Sequence, residues 1–254
     1  MTEKIIVITG ASGGLAQAMV KHIKESDFLI LLGRNKAQLE EIYGNRKQKK
    51  CIQIDITNAD AIEHLVAELY LEFGHIDILI NNAGFGAFKA FDDYDHQDVE
   101  RMFKVNTFAS MDFCRLIGAR MAAHGKGHII NIVSMAGLVA SSKSSLYAAS
   151  KFAMIGYSNA LRLELAEKGV IVTSINPGPI KTAFFKEADP TGTYLEKVSA
   201  FALEPDQVAK KVVAVFGKQK REINLPWTLS LTHLFYTLCP GLSDYLARKV
   251  FNYK

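Results

Sequence analysis

From the amino end, short apolar runs alternate with longer stretches in which apolar residues recur every three or four positions. The runs are Ile5-Ile-Val-Ile8, Phe28-Leu-Ile-Leu-Leu32, Cys51-Ile-Gln-Ile54, Ile76-Asp-Ile-Leu-Ile80, Ile129–Val133 and Val170–Ile175. The first is wholly β-branched, and each stops at Gly, Thr, Asp, Asn or Ser, which predicts buried strands. The stretches between predict helices to about Glu25, over Lys36–Tyr43, Ala59–Phe73, Gln97–His124 and Ser144–Lys168, and beyond Glu204. Ile223-Asn-Leu225 reads as a last short strand. Strands alternating with helices of this length predict a doubly wound α/β fold, a parallel sheet covered by helices on both faces. Polar and glycine residues gather at the carboxyl ends of the strands, the edge where open α/β sheets bind ligands.

From Pro226 the pattern changes. Trp227, Leu231, Leu234, Phe235 and Leu238 form one helical stripe, Pro240-Gly241 breaks it, and Leu242, Tyr245, Leu246, Val250 and Tyr253 form a weaker second one. The first stripe is expected to lie against protein, in its own domain or a subunit partner. A wall of the substrate pocket and a membrane surface are the other placements. Residues 1–254 read as one unit with a helical extension at about 226–254, and Pro190–Leu203 reads as a lid.

Composition narrows the classes. With 254 residues, 49% apolar and 22% charged, the chain can build a sizeable core and is not disordered. The net charge of +4 comes without a long basic run, and Lys47-Gln-Lys-Lys50 reads as a solvated loop. Nucleic acid is therefore not expected, whereas a single anionic cofactor fits. Three scattered cysteines have no disulfide or metal spacing, and the seven histidines show none either. With no signal segment and no apolar run of membrane-spanning length, a cytoplasmic location is expected.

Two stretches carry candidate chemistry. After the first strand, Gly10, Ser12, Gly13, Gly14 and Leu15 lead into a helix. A strand, a Gly-rich turn and a helix present backbone N–H groups where a pyrophosphate is welcome, although a plain tight turn has the same composition. In such a Rossmann-type fold the end of the second strand faces the adenosine ribose. Here Gly33-Arg34-Asn35 offers no acid for a 2′-hydroxyl. Arg34 suits a 2′-phosphate; the alternative is a solvated loop arginine. The second stretch holds Tyr147 and Lys151, one helical turn apart, after Ser134 at a strand end. Such a trio can pass a proton to a carbonyl oxygen or take one from an alcohol, yet a Tyr and a Lys at this spacing are also ordinary on a helix.

Taken in order, these residues resemble the short-chain dehydrogenase/reductase family over about residues 4 to 225. Thr9-Gly10, Gly14 and Ala16 are similar to its cofactor loop, with Ala16 where the family usually has a third glycine. Asp55-Ile56 resembles the pair that holds adenine, Asn81-Asn82-Ala83-Gly84 the family's NNAG turn, and Val105-Asn106 the site of its structural and catalytic asparagine. Ser134, Tyr147 and Lys151 resemble the catalytic trio. Pro177-Gly178 with Ile180-Lys181-Thr182 resembles the segment that grips the nicotinamide carboxamide.

The resemblance implies NADP (NADPH) as cofactor, a small-molecule carbonyl or alcohol as substrate, and a homodimer or homotetramer built on the long helices. It implies Tyr147 as general acid/base, its anion favoured by the Lys151 ammonium and by the oxidised nicotinamide. Ser134 would orient the substrate oxygen, the alternative being a strand-end hydroxyl that satisfies backbone. Asn106 would hold a water linking Lys151 to solvent, the alternative being a helix-interior kink, which the resemblance also implies. Phe85, Phe88, Phe91, Phe184 and Phe185 suggest an apolar pocket rim. The competing readings are an epimerase or dehydratase on the same fold, and a cofactor-sensing protein without turnover. The intact trio speaks against the last, because a sensor has no need of an acid–base group.

Overall fold

The computed structural model describes residues 3–190, 192, 196 and 201–249. Seven strands form one parallel sheet: β1 (Ile5–Thr9), β2 (Phe28–Gly33), β3 (Lys49–Gln53), β4 (Ile78–Asn81), β5 (Gly127–Ile132), β6 (Val170–Pro177) and β7 (Glu222–Leu225). Their spatial order is β3-β2-β1-β4-β5-β6-β7. The order reverses between β1 and β4, so chain leaving these two strands diverges and opens a crevice at their carboxyl ends. The expected doubly wound sheet is what the chain forms.

The continuous apolar runs follow from burial on both faces. In β1, Ile6 and Ile8 point into one cluster with Met19 of α1 (Gly14–His22) and Val208 and Val212 of α8 (Pro205–Val213). Val7 points the other way, among Ile62 and Leu69 of α3 (Ala59–Phe73) and Phe113 and Ile117 of α5 (Ala109–Ala123). Alternate side chains of a strand face opposite layers, so a strand covered twice must be apolar throughout. Side-chain caps start the helices where the sequence places Asn or Asp. Asn35 accepts from the Gln38 N–H before α2 (Lys36–Tyr43), Asn58 from Ala61 before α3, and Asp95 from Asp98 before α4 (His96–Phe103). One buried cation staples the sheet's first crossover. The Arg46 guanidinium donates to the carbonyls of Lys24 at 2.6 Å and Asp27 at 2.7 Å, closing the chain between α1 and β2.

Three expectations change. The solvated loop predicted over Lys47–Lys50 gives its last two lysines to β3. This is an edge strand, where Lys49 lies 3.5 Å from Glu40 and Lys50 pairs with Glu72. The helix predicted over Gln97–His124 is interrupted by a π-helical turn, Lys104–Phe108, between α4 and α5. The tail forms two helices as predicted, α9 (Thr228–Leu238) and α10 (Pro240–Lys249), but most of its first stripe is left uncovered by the described residues. Trp227 is 70% exposed, and Leu231, Leu234 and Leu238 are also exposed. Besides the stripe, α9 has a second apolar edge on its opposite side, Leu229 and Tyr236, so the period did not say which edge turns inward. Most of the predicted Pro190–Leu203 lid lies outside the described residues. Among the described residues no helix is long and apolar enough to cross a membrane.

Candidate active site

The Gly-rich loop is tied to the turn after β4. Gly10 has a φ of +62°, and a Cβ there would stand 2.7 Å from the Ala83 Cα, so the position requires glycine on both counts. The Thr9 hydroxyl accepts from the N–H groups of Asn82 and Ala83, each at 3.0 Å. In return the Asn82 side chain donates to the carbonyls of Thr9 and Gly10, each at 3.1 Å. Asn82 therefore sets the loop's shape. Gly13 precedes α1 and offers no side-chain cap, and the first turn of α1 carries no acid. The helix N-terminus thus presents uncapped donors and a positive field to the crevice.

At the ends of β2 and β3, Arg34 and Asp55 face the same crevice. The Asp55 carboxylate accepts from the Thr57 N–H at 2.9 Å and its hydroxyl at 2.8 Å. These bonds pull its pKa below the usual carboxylate range, and the Arg34 guanidinium adds to the shift. Arg34 is exposed, and residues 33–35 hold no carboxylate.

Ser134 ends the segment that leaves β5. Its Oγ accepts from the Ala136 N–H at 3.0 Å and donates to the Pro177 carbonyl at 3.5 Å, opening the short 3-10 turn Met135–Gly137. That turn sits close on α6 (Ser145–Leu165): a Cβ at Gly137 would lie 2.8 Å from the Lys151 carbonyl oxygen. Tyr147 and Lys151 share the first turns of α6 and both are buried. The Lys151 ammonium donates to the Ile132 carbonyl at 3.3 Å and lies 5.8 Å from the centre of the Tyr147 ring. Burial lowers the Lys151 pKa to about 8. The Tyr147 ring packs against Phe184 at 5.8 Å and edge-on to Phe88 at 6.0 Å.

Asn106 sits in the π-helical turn, 1% exposed and behind the wall of the cleft. Its Oδ1 accepts from the Phe85 N–H at 2.9 Å, while its amide donates to the Phe85 carbonyl at 2.9 Å and to Ser150 Oγ at 3.1 Å. Ser150 in turn donates to the Tyr147 carbonyl at 2.8 Å. Both amide N–H bonds are thus spent on positioning the Phe85 loop and α6. Gly84 fills the gap beside it: a Cβ there would stand 3.2 Å from Asn106 Oδ1 and 3.4 Å from Lys151 Nζ.

The segment after β6 closes the site from above. Gly178 donates to the Leu225 carbonyl at 2.6 Å. Ile180 bridges Leu203, and the Thr182 methyl would touch any Cβ at Gly14 at 3.1 Å.

All these groups border one cleft of about 1190 Å³. It brings together Gly10, Ser12, Gly13, Gly14, Leu15, Arg34, Asp55, Ile56, Asn82, Ala83, Gly84, Ser134, Tyr147, Lys151, Pro177, Gly178, Ile180 and Thr182, leaving only Asn106 out. Of the expected aromatic rim, Phe85, Phe88, Phe184 and Phe185 line the cleft, whereas Phe91 stands in solvent at 82% exposure. Leu229, Thr232, Phe235, Tyr236 and Leu246 of the tail also line it. Phe235 and Leu246 belong to the predicted stripes, and the other three fall off them. Among the described residues no cluster of three or more His, Cys, Asp or Glu side chains could hold a metal.

The short chain dehydrogenase family model matches residues 4–192. An uncharacterized oxidoreductase of Staphylococcus aureus (strain USA300) is 31% identical over 87% of this chain and 94% of its own length. A short-chain dehydrogenase from Streptomyces avermitilis has the same fold, with a TM-score of 0.82 at 22% identity over 97% of this chain and 96% of that one. One from Sphingobium yanoikuyae, solved in complex with NADPH, gives 0.80 at 23% over the same shares. The cradle around Gly10 and the uncapped start of α1 fit the dinucleotide on which such enzymes depend. Fold, laced glycine loop and sequence likeness lead to one statement: the chain belongs to the short-chain dehydrogenase/reductase family and is an NAD(P)-dependent oxidoreductase.

Proposed function

We propose that this enzyme interconverts a carbonyl group and an alcohol with NADP(H), Tyr147 giving or taking the hydroxyl proton. The reading rests on one observation: Ser134, Tyr147 and Lys151 border the same cleft as the Gly10–Leu15 loop. Gly10, Ser12, Gly13, Gly14 and Leu15 would hold the pyrophosphate at the start of α1, and Asp55 and Ile56 the adenine. Asn82, Ala83, Gly84, Pro177, Gly178, Ile180 and Thr182 would line the nicotinamide half, with Tyr147 and Lys151 against its ribose. When bound, the dinucleotide supplies or accepts the two electrons that interconvert carbonyl and alcohol.

The chain's own side chains handle the proton. Ser134 Oγ orients the substrate oxygen toward the Tyr147 phenol. The Lys151 ammonium favours the anion that the phenol leaves behind. Asn106 acts through its bonds to Phe85 and Ser150, holding Tyr147 and Lys151 in register. Tyr147→Phe keeps the ring packing and removes only the hydroxyl. Turnover should fall by about 10²–10⁴-fold or more while NADPH binding, read by fluorescence titration, stays close to that of the unaltered enzyme. Retention of most of the kcat would refute the assignment.

Arg34 supports a preference for NADPH over NADH, as does the NADPH complex of the Sphingobium protein. Arg34→Ala should weaken NADPH binding by about 1.5–3 kcal/mol and leave NADH binding nearly unchanged. Equal Kd values for the two cofactors in the unaltered enzyme would remove this claim. Phe108, at the end of the π-helical turn that leads into α5, and Phe152 on α6 are exposed, which supports a homo-oligomer formed on these helices. The chain is read as one catalytic unit with a helical extension, in a reducing, cytoplasmic setting.

A further inference from the structure

We infer that the substrate is a bulky apolar carbonyl compound, one whose hydrocarbon part fills the space between the Tyr147 phenol and the tail helices. The inference rests on the reductase reading above and adds the class of substrate.

One wall of that space is aromatic. Phe88 and Phe184 pack on the Tyr147 ring, and Phe185 packs on both of them at 6.2 and 5.3 Å. Gly86 makes room for this cluster, since a Cβ there would stand 2.8 Å from the Phe184 ring. The facing wall comes from the tail: Leu229, Thr232, Phe235 and Tyr236 of α9 and Leu246 of α10. This wall is fixed to the site. The His233 Nδ1–H donates to the Leu138 carbonyl at 3.0 Å, and Leu229 reaches to within 3.1 Å of a Cβ at Gly178.

Charge is kept out of this space. Among the described lining residues, Arg34 and Asp55 lie at the β2–β3 end, and Lys151 sits beneath Tyr147. Arg101 stacks over the Phe85 ring at 4.9 Å, and Glu187 is exposed. No cation is buried among the described tail residues to meet a phosphate or carboxylate. Thr228, Thr232 and Tyr236 of the tail and Ser141 and Ser142 before α6 give scattered hydroxyls, and Ser243 donates its own to the Phe235 carbonyl, which leaves too few to replace the water around a polyol. An apolar body loses nothing on entering and releases its hydration water.

The test is a chain-length series of neutral methyl ketones from 2-butanone to 2-decanone with NADPH. In parallel, the matching 2-alcohols are titrated calorimetrically into the protein–NADPH complex, a pair that cannot react. Each added methylene should raise kcat/KM, and the alcohol's association constant, by about three- to fourfold until the chamber is full. Leu246→Gln should lower the ratio of kcat/KM for 2-decanone to that for 2-butanone by about tenfold. A flat series, or better use of phosphorylated or polyhydroxylated carbonyl compounds of the same size, would overturn the inference. If the alcohols bind with the expected increments but no ketone is reduced, the chamber stands and the reductase reading fails. If short ketones are reduced with no gain from length, the reductase reading stands and the chamber inference fails.

Discussion

Lys151 shows what the site costs the fold. Its ammonium is buried against a single carbonyl, and its pKa falls to about 8 from an ordinary 10.5. At pH 7 the group is charged in both the folded and the unfolded chain, so folding opposes hydration of that charge by about 3 kcal/mol. The penalty is relieved only as pH rises from about 8 through 10.5, where the folded protein gives up the proton first. Lys151→Met should therefore raise the melting temperature of the cofactor-free protein at pH 7 by several degrees. The Ile132 carbonyl, left without its donor, offsets part of the gain. Turnover should be lost in the same variant. A lower melting temperature would mean that the ammonium is better paid for than its surroundings indicate. The trio itself was readable in the sequence because its members sit at a strand end and on one helical turn, where spacing fixes place. Asn106 was readable as a motif position but not as a buried clamp, because its partners Phe85 and Ser150 lie 21 and 44 positions away.

At the scale of elements, the strands were legible because burial on both faces leaves continuous apolar runs. Two features were less so. The π-helical turn Lys104–Phe108 adds no breaking residue, so the helical pattern runs through it and only the resemblance pointed to a kink at Asn106. The orientation of α9 escaped because Leu229 and Tyr236 form a second apolar edge opposite the stripe, and the period does not choose between the two until the neighbours are known. Inside one chain the structure turns Leu229, Thr232 and Tyr236 to the cleft and leaves Trp227 and Leu231 outside. If α5 and α6 form the subunit contact, light scattering at micromolar concentration should give a dimer or tetramer. Trp227, the only tryptophan, should then still emit as in water and be quenched by acrylamide. A blue-shifted, protected emission in an oligomer would move the contact to the tail, and a monomeric mass would remove it altogether.

For the whole molecule, acid stability depends on a group far from the cleft. His128 is buried where β5, β6 and the approach to β7 meet. Its Nδ1 accepts from the Gly217 N–H at 3.1 Å, so its Nε2–H donates to Thr173 Oγ1 at 2.9 Å, which donates in turn to the Lys220 carbonyl. Both ring nitrogens are committed to the neutral form, and burial, with Lys4 nearby, lowers the pKa from 6.5 to about 4. Below about pH 6.5 the unfolded chain takes up a proton that the folded chain refuses. Stability should fall from there to pH 4 by about 3 kcal/mol in total and then level off. Urea titrations across this range should show the slope, and His128→Gln should flatten it. An equally steep slope in that variant would assign acid lability elsewhere.

The tail's place in the cleft has a consequence for how such an enzyme diversifies. The side chains proposed to handle the proton and the glycine loop all lie before residue 182, whereas the facing wall is supplied from Pro226 onward, past β7. Among the described residues these two parts of the chain meet across the cleft and through contacts such as the His233 ring on the Leu138 carbonyl and Leu229 against Gly178. Recombination that replaced the terminal helices would recast what the enzyme accepts while leaving its chemistry in place. Inheritance can thus vary appetite and reaction separately, and a grafted tail is the natural starting point for redesign.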